Sequence, residues 1–375
     1  MNKNLIFTAE TQRRKIIYFK NKILISWRLR VFAVNFYDFL YINKNLTNEK
    51  GIALIMVLWV VILLGVIVNT FAWMVRTEAQ AVGNFKEETK AYYLARGGFQ
   101  QTILELLKSQ ESTVHEPPEE ELKLDGRVNM FNFIDGYAEV RVMDEGGKID
   151  INVASRDDII RVISALGFDV EDKDVIADSI LDWIDENNFH RLNGAEDDYY
   201  RLLPEPYGAK DGPLNTVDEL LWVRGITPKI FYNPVVSRSP DPELVSGEEE
   251  ANLSREEGRL RTGLEGVFTV FTGSNKININ TAPISLLLSL PGIGEAQVEK
   301  IIAIREESPF RDMSGLMRTV TFPPENGKYI SFSPAGIYTI EVVGRLNGSH
   351  VRRSFKSVVK IKGKTDYDIL YWKEG

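Results

Sequence analysis

Residues 52–75 read IALIMVLWVVILLGVIVNTFAWMV, and this stretch decides the architecture of the chain. Only Asn69 and Thr70 in it are polar. A helix of this length spans about 36 Å, more than the roughly 30 Å hydrocarbon core of a bilayer. A buried core helix would show a polar stripe, and an ordinary signal peptide would have a shorter apolar run before a small-residue cleavage site. The stretch therefore predicts a transmembrane helix.

The net charge changes sign at this helix. Residues 1–51 carry ten Lys or Arg against three acidic residues, a net charge of +7, whereas the whole chain of 375 residues carries −8. Residues 52–375 therefore carry −15. A basic segment before the helix predicts a cytoplasmic N-terminus and an exported body. The acidic body would repel nucleic acid, and the lack of cysteine excludes disulfides and thiolate metal sites.

The helical pattern continues past the apolar run, because apolar side chains recur every three or four residues from Val82 to Leu106. We expect one helix to about Leu107, followed by the acidic, proline-containing linker ESTVHEPPEEE at residues 111–121. Beyond it, residues 127–143 and 336–361 each predict a β-hairpin, around Asp135-Gly136 and Asn347-Gly348. The region between them, about 151–319, predicts a helical insert interrupted by an acidic loop at 239–258. The fold class is therefore α+β.

The insert contains an internal repeat. KIDINVAS at residues 148–155 and KININTAP at 276–283 share the pattern K-I-x-I-N-x-A, and PLNTVDELLWVRGIT at 213–227 is a weaker third copy. The asparagines that precede each apolar run are expected to be helix N-caps. Either a duplicated helical module or chance similarity between short helix starts explains the pattern.

LPGIG at residues 290–294, with the helical residues after it, predicts a helix-hairpin-helix. Gly292 and Gly294 would let the backbone turn and leave amides at a helix start, where phosphate binds. Glu295 follows this turn directly, however, and the charges of Glu299, Glu306 and Glu307 offset those of Lys300, Arg305 and Arg311. The motif is therefore expected to serve packing in preference to DNA binding.

The densest acidic cluster lies at residues 177–200. Asp178, Asp182 and Asp185 fall on one helix face, where like charges are unfavourable unless they are neutralised. Oxygen ligands in this number suit Ca²⁺. The predicted ligands are Asp182, Asp185, Asn187, Glu196, Asp197 and Asp198, and the alternative is a solvated acidic face. No catalytic motif is present, and no enzymatic activity is predicted.

Four features together resemble the general secretion pathway protein K family, the minor pseudopilins of type II secretion. Lys50-Gly51 before the apolar run resembles the start of prepilin-like proteins in general. The first feature that resembles this family in particular is the large helical insert in the predicted sheet. The others are Met56 where most prepilin-like proteins have Glu, the motif DWIDENNFHRLNGAEDDYYR, and the INTAP–LPGIG–PF module. The resemblance extends from Gly51 to the end of the chain. It implies a pilin-like long helix and small antiparallel sheet, with a large inserted helical domain that is SAM-like and contains the helix-hairpin-helix.

The resemblance also implies a domain plan. A leader, 1–51, is removed by prepilin peptidase between Gly51 and Ile52, and the new Ile52 amine is methylated. Residues 52–126 form the anchor, extended helix and linker, 127–150 the first part of the sheet, and 151–263 the first inserted domain. Residues 264–320 hold a connecting strand and the helix-hairpin-helix, and 321–375 the final strands.

The implied function is that of a subunit at the tip of the secretion pseudopilus, in the inner membrane with a periplasmic body. There it would help to initiate and cap the fibre that drives export of folded proteins across the outer membrane. A buried Glu at position 56 would pair with the amine of the subunit ahead, and a tip subunit has none ahead, so Met56 suits the tip. The implied partners are the pseudopilins lettered I, J and H, contacted through Phe85, Tyr92 and Phe99.

The chain departs from this family in two respects. The leader of about 50 residues is longer than relatives usually have, and Asn187 and Asn188 stand where relatives tend to have Asp. Two other functions remain as alternatives: a minor pilin of a type IV pilus, and a membrane-anchored DNA receptor with a helix-hairpin-helix.

Overall fold

A computed structural model describes residues 49–109, 122–166, 173–232 and 263–375. The leader, the 111–121 linker and the 239–258 acidic loop therefore lie almost wholly outside the described residues. The chain divides into two units, 1–82 and 83–375. Both core clusters that follow belong to the second unit.

Helix α1 runs over Glu49–Ser109, as the pattern predicted. Its N-terminal part, in the first unit, is long and apolar enough to cross a membrane. The hydroxyl of Thr70 donates to the carbonyl oxygens of Val66 and Ile67 at 3.0 and 2.8 Å. The polar side chain is thus satisfied within the helix, as an apolar environment requires.

The second unit contains a five-stranded antiparallel sheet in the order β1-β2-β7-β8-β9. The two predicted hairpins supply β1 (Asp125–Phe133), β2 (Gly136–Asp144), β7 (Ile337–Leu346) and β8 (Arg352–Lys362). The fifth strand, β9 (Asp366–Glu374), was not predicted separately. Although residues 145–336 separate β2 from β7, the two strands are neighbours in the sheet.

The C-terminal part of α1 packs one face on this sheet. Gly98 and Gly344 allow the close approach: a Cβ on Gly98 would lie 2.5 Å from that of Ala138, and one on Gly344 only 2.1 Å from the carbonyl oxygen of Ala91. Phe99 is 2% exposed and makes edge contacts with Phe355 and Trp372. The helix and sheet therefore share one apolar core.

The inserted region is mainly helical and has its own continuous apolar core. In the described part of this region the α-helices are short, and three 3-10 helices and four two-residue strands join them. In chain order the α-helices are α2 (Arg156–Ala165), α3 (Lys173–Ile184), α4 (Asp197–Arg201), α5 (Pro228–Tyr232), α6 (Leu264–Val267), α7 (Ile284–Leu288), α8 (Glu295–Glu307) and α9 (Met313–Thr319). The 3-10 helices are Glu145–Gly147, Val217–Trp222 and Pro324–Lys328. The short strands form two parallel pairs, β3 (Ile149–Asp150) with β4 (Phe268–Thr269), and β5 (Ile277–Asn278) with β6 (Ile330–Ser331).

The sequence repeat has a structural counterpart. Each of the first two copies contains the first strand of a parallel pair, and an asparagine two residues later is tied to a distant backbone. Asn152 exchanges two hydrogen bonds, of 3.0 and 2.8 Å, with the backbone of Leu214. Asn280 exchanges 2.9 and 2.8 Å bonds with that of Phe310 in the same way. This shared geometry favours duplication over chance.

The proposed capping role of these asparagines is wrong. The N-cap of α2 is Ser155, whose hydroxyl accepts from the backbone N–H of Asp158, and the N-cap of α7 is Pro283. Residues of both copies pack into one apolar core. The insert extends over residues 145–336, beyond the predicted bounds of about 151–319 at both ends.

The chain leaves the sheet for the insert at Asp144, the last residue of β2, and returns to the sheet beside the same residue. Its buried carboxylate accepts from the backbone N–H of Gly146 and Ala335, and from the side chains of Asn278 and Thr281, at 2.9–3.1 Å. Burial raises the pKa of this carboxyl, and the four donors oppose the rise. The carboxylate therefore joins the start of the insert, its interior and its return to the sheet.

An ion pair lies beside this carboxylate in the same buried junction. Glu145 accepts from the Lys148 ammonium and the Thr339 hydroxyl, both at 2.7 Å. Burial by itself would raise the pKa of Glu145, but the Lys148 charge and the hydrogen bonds outweigh it, so that the pKa is lowered. The negative charge of Glu145 is thus stable in the folded chain.

Replacing Asp144 with Ala should lower the free energy of unfolding by at least about 3 kcal/mol, because four buried donors lose a charged acceptor. Urea denaturation of residues 83–375 measures this. Asp368→Ala is the control, since Asp368 pairs with Lys362 on the surface and should cost below about 1 kcal/mol. Equal losses in the two variants would contradict the central role of Asp144.

Candidate functional site

Helix α3 carries Asp178 and Asp182, and Asp185 is the first residue after it. Basic and amide groups neutralise all three aspartates. Arg156 donates to Asp178 at 2.6 Å, and Asn193 donates to the other carboxylate oxygen of Asp178. Arg191 lies between the other two, with Nη1 bonded to both Asp182 (2.6 Å) and Asp185. Like charges at this spacing are unfavourable unless they are neutralised, and Arg156 and Arg191 of the same chain neutralise them.

Close packing fixes the loop after α3. A Cβ on Gly194 would lie 1.8 Å from Oδ2 of Asp182, so only glycine fits at that position. Trp183, Tyr200, Tyr207 and Trp222 form a chain of ring contacts with centroids 5.0–6.2 Å apart. Rigid aromatic side chains therefore support the acidic loop.

Glu196 is the least satisfied group in this loop. It is 1% exposed, and neither carboxylate oxygen has a hydrogen-bond partner. Burial, and then the charges of Asp182, Asp185 and Asp211, raises its pKa to about 7. Oδ1 of Asp211 is also buried without a partner, and Asp211 has a positive φ of 50°. An uncompensated buried carboxylate beside three aspartates is the environment that a cation would stabilise.

The remaining predicted ligands point elsewhere. Asp197 pairs with Arg201 and accepts from the backbone N–H of Ala209, and Asp198 pairs with His190 at 2.9 Å. Asn187 donates its side-chain amide to Asp185. In the observed conformation, no three His, Asp or Glu side chains of the described residues converge closely enough to hold a metal ion.

The carboxylates whose charges act on Glu196 are those of Asp182, Asp185 and Asp211. Sequence reasoning missed Asp211, which lies outside the acidic motif and comes close only through folding. The oxygen chemistry of this set suits Ca²⁺.

The helix-hairpin-helix turn is formed as predicted, between α7 and α8. Gly292 has a positive φ of 70°, and the Asn326 side chain donates to the carbonyl oxygen of Pro291 at 2.7 Å. The N–H of Gly294, however, donates to the side chain of Gln297 at 3.1 Å. The chain itself thus satisfies an amide that a phosphate group would otherwise meet.

The predicted partner-facing stripe on α1 needs correction. Phe99 belongs to the core of the second unit, and Tyr92 is half-buried, so the structure removes Phe99 from the stripe. Phe85 and Tyr93 are each 65% exposed, and Val82 and Leu104 are exposed on the same helix face. Three- and four-residue spacing alone could not separate the face packed on the sheet from the adjacent exposed face.

At the predicted processing site, Gly51 and Ile52 lie within α1, and nothing is described of their side chains. Met56 lies one turn further along, and its side chain is exposed. The site itself is not tested by these features, and cleavage stays a prediction.

A long N-terminal helix packed on a small antiparallel sheet, with helical residues inserted between neighbouring strands, defines a pilin-like protein. The fold is similar to that in a crystal structure of the GspK-GspI-GspJ complex from the type 2 secretion system of enterotoxigenic Escherichia coli. The TM-score is 0.54 at 16% identity, over 80% of this chain and 99% of that one.

Sequence comparisons give matches over parts of the chain. The family "Type II secretion system (T2SS), protein K" matches residues 126–237, and a helix-hairpin-helix motif matches 273–326. Type II secretion system protein K of Pectobacterium carotovorum is 34% identical over 70 residues. A putative protein K of Escherichia coli K12 is 36% identical over 101 residues. These alignments cover 19% and 25% of this chain, and span 21% and 31% of the relatives' lengths. Residues 126–237, which include the start of the insert, thus match the type II secretion system protein K family.

Proposed function

We propose that this protein is a minor pseudopilin of a type II secretion system, a structural subunit and not an enzyme. The observation that carries the proposal is the combination of an apolar anchor helix, a pilin-like sheet and an insert of the protein K family within one chain. The helix would hold the chain in the inner membrane, with a cytoplasmic N-terminus and a periplasmic body. Prepilin peptidase would remove residues 1–51.

We further propose that the subunit lies at the tip of the pseudopilus, where it helps to initiate and cap the fibre. Two features support this position. Met56 replaces the carboxylate that would pair with the amine of a preceding subunit. The insert between β2 and β7 is large, and repeating it on every subunit of a tightly packed fibre would produce steric overlap.

Minor pseudopilins I and J are the proposed partners, with H as a further one. The crystal structure with the similar fold is that of a GspK-GspI-GspJ complex. In this chain the exposed stripe Val82, Phe85, Tyr93 and Leu104 supplies an apolar surface on α1. Exposed apolar side chains aligned on one helix face are typical of helix–helix interfaces.

Calcium binding in the acidic loop is also part of the proposal. The residues that would hold the ion are Asp182, Asp185 and Glu196 of the predicted set, together with Asp211. When bound, the ion would supply the positive charge that Glu196 lacks. Its role would be structural, because it would join α3 to the segments that carry Glu196 and Asp211.

Two other functions fit less well. A type IV minor pilin would share the anchor and the sheet, but the insert matches the protein K family. A DNA receptor would need cations around the hairpin, where this chain has Glu295 and Glu299 and a capped Gly294 amide. Binding of duplex DNA to the body with a steep salt dependence would favour the receptor instead.

Processing is expected between Gly51 and Ile52, with methylation of the new amine. Gly51→Leu should block it, because a side chain at that position would crowd the peptidase site. Mass spectrometry of the N-terminus of the membrane-extracted protein gives the result. Gly65→Leu is the control, since a Cβ at Gly65 meets nothing within 4 Å. A mature terminus elsewhere would contradict the pilin-like assignment.

Phe85→Arg and Tyr93→Arg should each abolish co-purification with pseudopilins I and J, because a charge replaces an exposed apolar contact. Gln101→Arg is the control, on another exposed position of α1. Circular dichroism should show all three variants folded, whereas Phe99→Arg should disrupt the core. Retention of both partners by Phe85→Arg and Tyr93→Arg would exclude this stripe as the interface.

Calcium should raise the melting temperature of residues 83–375. A ligand that binds only the folded state stabilises it by about 2.7 kcal/mol at 100 times its Kd. Glu196→Gln should remove the difference between melting curves recorded with calcium and with chelator. Asp198→Asn should keep it, since Asp198 pairs with His190. Superimposed curves for the unmodified chain would falsify the calcium proposal.

A further inference from the structure

A groove of about 510 Å³ runs along the helix-hairpin-helix and takes no part in the function proposed above. Its apolar floor combines one face of α7 with one face of α8. The groove is lined by Ile284, Leu288, Val298, Ile302, Ala303, Glu295, Glu299 and Glu306. The α8 members recur every three or four residues, so they form a continuous stripe of about three turns.

The acidic rim of this groove is not neutralised within the described chain. Glu295 and Glu299 make no ion pair in the residues that the structure describes. They lie four residues apart on one helix, a spacing at which like charges cost a few tenths of a kcal/mol. Arg305 of the same helix cannot offset them, because it donates to the carbonyl oxygens of Ile279 and Ala282.

Only Glu306, at the far end of the groove, has a cationic partner. It lies 3.3 Å from Arg127, and about half of its side chain is exposed. Glu295 has a local reason to be present, since a carboxylate is favourable in the first turn of a helix. That reason does not extend to Glu299, which lies in the second turn beside the apolar floor.

We propose that this groove binds a short amphipathic helix of another protein, with aliphatic side chains on one face and Lys or Arg beside them. The apolar floor would receive the aliphatic face, and Glu295 and Glu299 would meet the cations, as in other helix-in-groove complexes. The same charges disfavour nucleic acid and anionic lipid. They also disfavour the acidic segments of this chain at 111–121 and 239–258.

The groove lies wholly within the insert, so peptide binding there does not depend on where the subunit lies in the fibre. The charge of the ligand would also be opposite to the usual one: a helix-hairpin-helix that elsewhere binds anionic phosphate would here bind a cationic peptide. The turn glycines position α7 against α8, and the charge on α8 selects the ligand.

The test uses the full chain in phosphatidylcholine nanodiscs and a fluorescent 14-residue peptide with Leu and Lys at helical spacing. Fluorescence anisotropy should show binding above that of empty nanodiscs, and the affinity should fall as salt rises. Glu299→Lys should weaken binding roughly tenfold, because it reverses a rim charge. Ala303→Trp should weaken it similarly, because the indole fills the groove at an exposed position.

Glu307→Lys is the matched control, because it makes the same charge change on an exposed residue of α8 that does not line the groove. It should alter the affinity less than twofold if the rim charges act locally. Equal weakening by Glu299→Lys and Glu307→Lys would overturn the proposal in favour of diffuse attraction to an acidic surface. Binding no stronger than to empty nanodiscs, or equal binding of a peptide with Glu in place of Lys, would also overturn it.

Discussion

The buried carboxylate of Asp144 holds the sheet and the insert of the second unit together. An insertion between neighbouring strands requires the chain to leave the sheet and return to the same place. Asp144 meets this requirement with one donor at the exit, two within the insert and one at the return. The cost of burying a charge is offset because all four donors are supplied by fixed backbone and short side chains. Strands β2 and β7 therefore stay paired in register despite the large insert between them.

The acidity of the body and its helix-hairpin-helix are compatible because the motif has a structural role. The glycine turn lets α7 and α8 approach, and the helices bury Leu286, Leu287, Val298 and Ile301 in the core of the insert. The amide of Gly294 is capped internally. Phosphate binding would require a free Gly294 amide and basic side chains around it. In this chain Gln297 accepts from the amide, and the nearby charged residues Glu295 and Glu299 are acidic.

Charge compensation also explains the acidic loop. Asp178, Asp182 and Asp185 are paired with Arg156 and Arg191, so the α3 stack is balanced by the chain itself. The imbalance lies instead at Glu196 and Asp211, whose buried oxygens have no partners. The proposed cation site therefore depends on Glu196, whose burial only folding reveals, more than on the aspartates that dominate the sequence pattern.

The sequence by itself determined the anchor helix, the two hairpins, the helix-hairpin-helix and the repeat, because each depends on local periodicity or turn chemistry. The repeat that contains Asn152 and Asn280 was visible in the sequence. The hydrogen bonds of these side chains to the backbone of Leu214 and Phe310 join segments that are distant in the chain and could not be predicted. The tertiary structure alone decided that Phe99 is buried and Tyr93 exposed, since both positions fit an apolar helix pattern. It alone brought Asp211 near Glu196 and placed Asp144 at the junction. Burial and long-range pairing depend on which surfaces meet, and that information is not contained in the spacing of residues along one element.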